Sequence, residues 1–410
     1  MTFPASGRGF FSVVFLSTIL LLFSFSSSRA VDEGGKPKRP VKIGVSLSLS
    51  GRYEEMGKMQ ERGYLLWQDD VNSRGGLLGR EVRLIIEDDE SSPARAKRIY
   101  RKLMDQERVD FIFGPYSTGI TEAVAPLAES RGYFLLVSGA SGDQLWEKGY
   151  RGVFGVYAPA SRYATGFLEM LVKNGFRTVA ILCADDSFSR LAGKGARRWT
   201  TWLGLSEVYF REFPKDLRDF SGIVEELKGI NPDAVILGGH YRESVEFARA
   251  LESAKWRPSA FFATVGPALP DFVAEARDAS EMVFSASQWE PVKKVPYPGS
   301  LSFAERFRRK FGSDPSYHAA TAYAAGQILE ESVRRAGTLE REAVAETIRH
   351  LFTLTIIGRF GVDSTGKQVK HIPFTIQIQG GKRVVVWPEE VAEGFPLFSP
   401  SRRVSASGRR

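Results

Sequence analysis

Residues 41–89, "VKIGVSLSLSGRYEEMGKMQERGYLLWQDDVNSRGGLLGREVRLIIEDD", decide the fold class. The apolar run 41–49 predicts a strand, and residues 57–72 place Tyr64, Trp67 and Val71 on one face of a helix. The pair Gly75-Gly76 ends this helix, and residues 81–89 form the next strand. A strand, a helix of more than ten residues and a second strand are typical of a parallel sheet.

The same alternation continues to residue 137, restarts after residue 157 and predicts a second α/β unit of similar size. Long helices are expected at 301–311, 317–335 and 341–351. Two strands joined by Gly380-Gly381 as a tight hairpin close the fold. We therefore predict an α/β protein of two Rossmann-like lobes, each with a doubly wound parallel sheet.

The first thirty residues differ from the rest of the chain. Arg8 precedes the apolar run 10–25, and Ser28-Arg29-Ala30 offers small residues at a cleavage site. Residues 1–30 are therefore predicted to be a cleaved signal peptide, followed by a polar linker at 31–40. The alternative is a retained membrane anchor, although a span needs roughly 20 residues. We expect no later span, and a basic tail at 399–410.

Composition excludes some classes of partner. The chain has 410 residues, 43% hydrophobic and 25% charged, with a formal net charge of +8. Its basic residues are mostly interleaved with acidic ones rather than clustered in a stripe, so nucleic acid is not expected as a partner. Cys183 is the only cysteine, which rules out a disulfide within the chain.

Neither an enzyme nor a cofactor site is predicted. Gly139-Ala140-Ser141-Gly142-Asp143 fails the G-x-S-x-G pattern of a serine hydrolase because Asp143 stands where glycine is needed. The first strand is followed by SLSGRYEEMG, which is not a dinucleotide-binding sequence. No metal site is expected, since His240 is isolated, His318 is expected to be structural, and His350 and His371 are expected at the surface.

Small polar residues follow many of the predicted strands. Because ligands of open parallel sheets bind at the carboxyl ends of the strands, these loops are the candidate site. Glycine allows close approach of the backbone, and hydroxyls donate and accept hydrogen bonds. The loops are SLSGRYEEMG (48–57), FGPYSTG (113–119), VSGASGD (137–143), LCADDSF (182–188), GGHYRE (238–243) and ATVGPA (263–268).

Five stretches in this order resemble one family. They are residues 48–96, "FIFGPYSTGITEAVAPLAES" (111–130), "VSGASGDQLWEKGY" (137–150), "DFSGIVEELKGINPDAVILGG" (219–239) and "FGSDPSYHAATAYAAGQIL" (311–329). The chain is similar to the periplasmic solute-binding proteins of ABC importers with the type I fold, typified by the leucine/isoleucine/valine-binding protein. The resemblance covers essentially residues 41–390.

The resemblance implies two lobes that close over a small solute about a hinge of three crossovers. We expect the crossovers near 156–159, 286–289 and 358–362. The first lobe would then combine residues 41–157 with 288–357, and the second would combine 158–287 with 358–398. The resemblance further implies a soluble periplasmic receptor that performs no catalysis and delivers its ligand to an ABC permease in the membrane. We expect a monomer. The alternative is a sensor protein that uses the same fold in signalling.

In the family, hydroxyls and N–H groups of the first lobe hold the carboxylate of an amino-acid ligand. Ser117 and Thr118 match the first of these loops, and Gly139 and Ser141 match the second. Charge-assisted hydrogen bonds from converging small residues suit an anion. The expected ligand is therefore a small carboxylate.

Three positions depart from the family. Phe188 and His240 replace frequent tyrosines, and Val265 stands where amino-acid binders have an acidic residue facing the ligand ammonium. A desolvated ammonium without a counter-charge is costly. Either Asp185 or Asp186 substitutes, or the ligand is an organic or aromatic acid without an α-ammonium. Residues that suit a flat apolar ligand are Met56, Tyr116, Phe188, His240, Tyr241 and Trp289.

Overall fold

The structure is a computed structural model that describes residues 39–295 and 297–400. The predicted signal peptide lies outside the described residues, as do most of the predicted linker and basic tail. The strands are β1 Val41–Leu47, β2 Val82–Asp88, β3 Phe111–Phe113, β4 Leu135–Val137, β5 Val153–Gly155, β6 Thr178–Ala184, β7 Ser206–Phe213, β8 Ala234–Gly238, β9 Ala260–Ala263, β10 Val283–Ser287, β11 Thr353–Thr355, β12 Gly358–Phe360, β13 Phe374–Gln379 and β14 Lys382–Trp387. The helices are α1 Glu54–Ser73, α2 Pro93–Arg101, α3 Thr118–Ser130, α4 Gln144–Glu147, α5 Thr165–Lys173, α6 Ser187–Trp202, α7 Ser221–Ile230, α8 Tyr241–Ser253, α9 Asp271–Ala276, α10 Ser300–Phe311, α11 Tyr317–Ala336 and α12 Arg341–His350.

The first lobe is built on a parallel sheet with the strand order β2-β1-β3-β4-β5. Its central strands are wholly apolar or nearly so and are buried, as expected for a sheet covered on both faces. Helices α1, α2 and α3 pack on the sheet or on each other, and α10, α11 and α12 join them from the later part of the chain. We use "first lobe" for these elements.

The second lobe is built on a sheet with the order β14-β13-β10-β9-β8-β6-β7. Strands β6 to β10 are parallel where they pair, and β13 and β14 add an antiparallel hairpin at one edge. Gly380 and Gly381 form its turn with φ of +56° and +73°, which only glycine adopts at low cost. The prediction of two Rossmann-like lobes with parallel sheets is confirmed, and so is the predicted hairpin.

The segments that cross between the lobes lie side by side. The side-chain carbonyl of Gln288 accepts a hydrogen bond from the Ala158 backbone N–H at 3.1 Å. The side-chain amide of Gln368 donates to the Val156 carbonyl at 3.1 Å. These two glutamines therefore tie the later crossovers to the first one.

The segment near 358–362, where the third crossover is expected, packs on the first lobe. Strand β12 pairs with β11 in a small antiparallel hairpin, and β11 contacts α11 of the first lobe. The Gly366 carbonyl also accepts a hydrogen bond from Gly155 of β5 at 2.9 Å. The chain joins the second sheet only at β13, because this hairpin returns the backbone to the first lobe. The division of the whole chain into two lobes at the expected boundaries stays a prediction.

Close packing of α1 against α11 holds the first lobe together. A Cβ added to Gly63 would lie 2.1 Å from the Ala319 carbonyl oxygen, and one added to Gly326 would lie 2.2 Å from the Trp67 ring. Glycine at both positions therefore lets the two helices touch along their backbones. This contact fixes the start of α11, which reaches the space between the lobes.

We predict that Gly63→Ala destabilises the protein by about 1–3 kcal/mol, because a backbone carbonyl must move to admit the methyl group. The measurement is the free energy of unfolding from urea titration. Gly222→Ala in α7 is the control, since its Cβ meets nothing within 4 Å among the described residues. That substitution should be neutral or stabilising by about 0.5–1 kcal/mol. Equal stability of both variants would contradict the packing argument.

Candidate functional site

A narrow cavity of about 10 Å³, room for roughly one water molecule, lies between the lobes, at the carboxyl ends of strands from both sheets. Most of the predicted ligand-binding residues line it: Tyr116, Ser117, Thr118, Gly139, Ser141, Phe188, His240 and Val265. Residues that were not predicted also line it: Ala140, Tyr157, Tyr163 and Tyr317. The parallel strand direction brings these loops together, as the loop positions indicated.

The beginning of α3 presents donors to the cavity. Ser117 precedes the helix with an extended backbone (φ −122°, ψ −167°), yet its hydroxyl does not cap the helix. The Thr118 hydroxyl instead accepts a hydrogen bond from the Gly142 N–H at 3.1 Å. First-turn N–H groups lack partners within a helix and carry a partial positive charge. The Ser117 hydroxyl, which contacts the Tyr53 hydroxyl, lies beside these N–H groups, and such an arrangement of donors suits a carboxylate.

The loop 139–142 packs directly on the loop that carries Ser117. A Cβ on Gly139 would lie 2.8 Å from the Pro115 carbonyl oxygen and 3.0 Å from the Tyr116 Cα. Any larger residue would force these loops apart, so Gly139 has a steric role. The Ser141 carbonyl accepts a hydrogen bond from the Ala160 N–H at 2.7 Å, which ties the loop to the first crossover. Its side chain lines the cavity.

Three tyrosines complete this side of the cavity and were missed by the sequence argument. Tyr157 and Tyr163 lie on the first crossover, and Tyr317 begins α11. The rings of Tyr157 and Tyr317 are 6.1 Å apart in an edge-to-face contact. Burial raises the pKa of Tyr163, and its neighbours Ser141 and Gln288 moderate the rise. The signal was the sequence VYAPASRY at a predicted crossover, where two tyrosines sit six residues apart.

Aromatic rings from the second lobe form the opposite wall. The Phe188 ring lies 5.1 Å from the His240 ring and 5.3 Å from the Tyr163 ring. His240 Nδ1 is 3.4 Å from the Tyr116 hydroxyl, so a polar contact joins the two lobes at the cavity wall. Phe188 and His240, which replace tyrosines that are frequent in the family, therefore both lie on the cavity surface.

The cavity lining contains no carboxylate among the described residues. Val265 lines the cavity and is fully buried. Asp185 accepts a hydrogen bond from the Lys215 N–H at 2.8 Å and does not reach the cavity. Asp186 accepts from the N–H and hydroxyl of Ser189 at 3.0 and 2.8 Å, which caps α6. Neither aspartate is positioned to pair with a ligand ammonium.

Burial disfavours the charged form of Asp186, yet hydrogen bonding and charge from His240 and Ser189 outweigh it. The pKa of this carboxyl is therefore held well below its usual range. Arg52 adds a further contact, with its Nη2 at 3.5 Å from Asp186 Oδ2. Asp186 is thus an ionised carboxylate whose oxygens are already occupied by protein groups.

Some residues expected at the site lie elsewhere. Met56 is buried in α1 within the core and does not line the cavity. Trp289 donates its Nε1–H to the Ser300 hydroxyl at 2.8 Å and packs edge-on against Phe303. Tyr241 is buried and also lies off the cavity, because it is the first residue of α8 and points past His240 into the core. Trp289 lies at the second crossover, as the sequence indicated, and its side chain contacts α10 there.

Two buried histidines support the site from behind. His318 stacks on Tyr317 at 3.9 Å and contacts the Tyr116 ring edge-to-face at 5.6 Å, which agrees with its expected structural role. His371 is also buried, so its expected surface position was wrong. It packs near Gln288 at the crossovers, whereas His350 is exposed as expected. Burial lowers the pKa of His318 to about 3 and that of His371 to about 4.

The sequence matches the profile of a known protein family. The sequence profile of the family described as "periplasmic binding protein" matches residues 40–382. The chain belongs to the periplasmic binding protein family. The family consists of solute receptors that are not enzymes, and the resemblance inferred from the sequence is confirmed.

Individual relatives are distant but cover most of the chain. A Leu/Ile/Val-binding protein homologue from Brucella suis biovar 1 is 24% identical over 86% of this chain and 92% of its own. The structure of a leucine-binding protein from Thermotoga maritima has a TM-score of 0.76 at 23% identity, covering 84% of this chain and 97% of its own. A solute-binding protein from R. palustris in complex with benzoate has a TM-score of 0.74 at 20% identity, covering 85% and 96%. These similarities establish the fold.

Two further features bear on function class. Within residues 39–295 and 297–400, none of the helices combines the length and apolar character that a membrane crossing requires. The same residues contain no group of three or more histidine, cysteine, aspartate or glutamate side chains arranged to hold a metal ion. The cavity groups are hydroxyls, backbone N–H groups and aromatic rings.

We predict that stability falls as the pH falls from about 6.5 towards 4. The unfolded chain binds protons on His318 and His371 near pH 6.5, whereas the folded protein does so only near pH 3 and 4. Unfolding is therefore favoured by about 2 kcal/mol per histidine at pH 5 relative to neutral pH. His318→Gln should flatten the dependence of the unfolding free energy on pH. His350→Gln is the control, and an unchanged slope in the His318 variant would refute the assignment.

Proposed function

We propose that the protein is the extracytoplasmic receptor of an ABC importer and captures a small carboxylate with an aromatic or aliphatic body and no α-ammonium. The observation that carries the proposal is the cavity itself, which offers hydroxyls and N–H groups of the first lobe, aromatic rings from both lobes and, among the described residues, no carboxylate in its lining. Membership of the periplasmic binding protein family supports the receptor role.

The anionic end of the ligand would bind between Ser117 and Ser141. Neither lysine nor arginine lines the cavity within the part of the chain that the structure describes, so neutral donors and the start of α3 would stabilise the negative charge of the ligand. Hydrogen bonds to an ionised acceptor are about twice as strong as neutral ones, and a helix N-terminus favours an anion. The absence of a strong local cation keeps binding reversible, as delivery to a permease requires.

The body of the ligand would lie against Tyr163, Phe188 and His240. An α-ammonium in this wall would lose its hydration without gaining a counter-charge, because Val265 is apolar and Asp186 is already paired. The benzoate complex of the structural neighbour from R. palustris agrees with this ligand class. Neighbours with the same fold also bind leucine, so the fold itself does not decide between the two classes.

Capture would follow from closure of the two lobes. The ligand first contacts donors of the first lobe, and Phe188, His240 and Val265 of the second lobe then cover it. A ligand shifts the equilibrium towards the closed form only through contacts that the open form lacks. The second-lobe wall supplies those contacts. We further propose a periplasmic location reached by cleavage of residues 1–30, and a membrane permease that binds the closed monomer.

A thermal-shift comparison of matched acids tests the ligand class. We expect 4-methylpentanoate and 3-phenylpropionate to stabilise the protein more than leucine and phenylalanine, which differ from them by an added α-ammonium. A true ligand at 100 times its dissociation constant stabilises by about 2.7 kcal/mol. Benzoate and benzamide form a second pair that tests the carboxylate. Stabilisation by the amino acids and none by the matched acids would reject the proposal.

Replacing the anchoring hydroxyl tests the site. We predict that Ser141→Ala weakens binding of the best acid from that comparison by about 1–3 kcal/mol, because a charge-assisted hydrogen bond is lost. Isothermal calorimetry gives the affinity. Ser130→Ala, at the far end of α3 and away from the cavity, is the control. Equal affinity of both variants would place the anion elsewhere.

A further inference from the structure

An arginine of the first lobe reaches across the cleft just outside the cavity. Arg52 lies in the single 3-10 turn Gly51–Tyr53 between β1 and α1. Its Nη2 is 2.7 Å from Glu243 Oε1 and 3.5 Å from Asp186 Oδ2, and both carboxylates belong to the second lobe. The Arg52 side chain is only 17% exposed, so these contacts are shielded from solvent.

Both carboxylates are held in place by their own lobe. Asp186 caps α6 through Ser189, and Glu243 accepts a hydrogen bond from the His240 backbone N–H at 3.0 Å. They contact the same nitrogen of Arg52 and therefore lie close together. Contacts within the second lobe thus hold both carboxylates, and two like charges side by side favour a cation between them.

The carboxylate pair is connected to the cavity through His240. His240 Nε2 lies 3.4 Å from Asp186 Oδ1, and its backbone N–H is bound by Glu243. The ring also packs at 4.9 Å from the ring of Tyr53, which follows Arg52 in the chain. Arg52, Asp186, His240 and Glu243 therefore form a closed ring of contacts behind the cavity wall.

We propose that Arg52 is an interlobe latch: it enters the Asp186–Glu243 pair when the lobes close, favours the closed form and positions His240 at the cavity wall. Arg52 does not line the cavity, so it acts on binding through closure. In the open form the two carboxylates lose their shielded cation, and closure restores charge-assisted hydrogen bonds. The contact between the lobes does not depend on the proposed receptor function. Only its effect on ligand affinity rests on that proposal.

Small-angle X-ray scattering of the protein without added ligand tests the latch directly. We expect a larger radius of gyration for Arg52→Gln and for Glu243→Gln than for the unmodified protein. Each substitution removes one charge of the Arg52–Glu243 ion pair and so weakens the contact that favours the closed form. Glutamine at position 243 retains an acceptor for the His240 N–H. Arg74→Gln is the matched control, since Arg74 pairs with Glu330 inside the first lobe. Unchanged radii in both latch variants would overturn the proposal.

The double variant Arg52→Gln/Glu243→Gln adds a test of coupling. Because Arg52→Gln already removes every ion pair of this side chain, the double variant should open no further than Arg52→Gln alone. Additive opening would contradict a shared latch. Circular dichroism melting of each variant separates domain opening from loss of folding.

Affinity gives a second readout. With benzoate or 4-methylpentanoate as the probe, we expect Arg52→Gln to weaken binding about tenfold, since apparent affinity falls with the fraction of closed-competent protein. Arg74→Gln should bind as the unmodified protein does. If neither acid binds any variant while the radii still differ, the ligand class is wrong and the latch stands. Equal binding by Arg52→Gln would overturn its role in capture.

Discussion

The direction of the parallel strands is the constraint on which the site depends. Strands β1, β3 and β4 pair in parallel, and so do β6, β8 and β9, so every loop that follows them emerges at the same edge of its sheet. Facing edges then bring loops from both lobes around one cavity. Neither lobe contains the site alone, because Ser117 and Ser141 come from the first lobe, whereas Phe188, His240 and Val265 come from the second.

Much of this arrangement was predictable from local patterns. The alternation of strands and helices, together with glycine and hydroxyl residues after the strands, placed the loops 113–119 and 137–143 at one site, and the resemblance to the family singled out Ser117, Gly139 and Ser141 within them. The position of a residue just after a strand can be recognised from the sequence alone. Parallel pairing then brings residues in such positions close together in space. Phe188 and His240, singled out as departures from the family, also line the cavity, and their contact with a ligand stays a prediction.

The sequence argument failed where position depends on packing between distant segments. Tyr163 and Tyr317 reach the cavity from segments that do not directly follow a strand, and Tyr157 follows the short strand β5, which the sequence argument did not predict. Met56 follows a strand-end loop but is buried in the core as part of α1. His371 is buried by the crossovers, and no periodic pattern marks that segment. The role of Arg52 could not be predicted from the sequence, because its partners Asp186 and Glu243 lie more than a hundred residues away in the chain.

The glutamines at the crossovers limit how the lobes can move. Because Gln288 holds Ala158 and Gln368 holds Val156, bending one connecting segment must either break an amide hydrogen bond or carry its neighbour along. A sliding motion would shear these bonds, whereas a rotation about an axis through them leaves both intact. The linked segments therefore favour one motion, a rotation of the two lobes about a single axis, by which the cleft opens and closes.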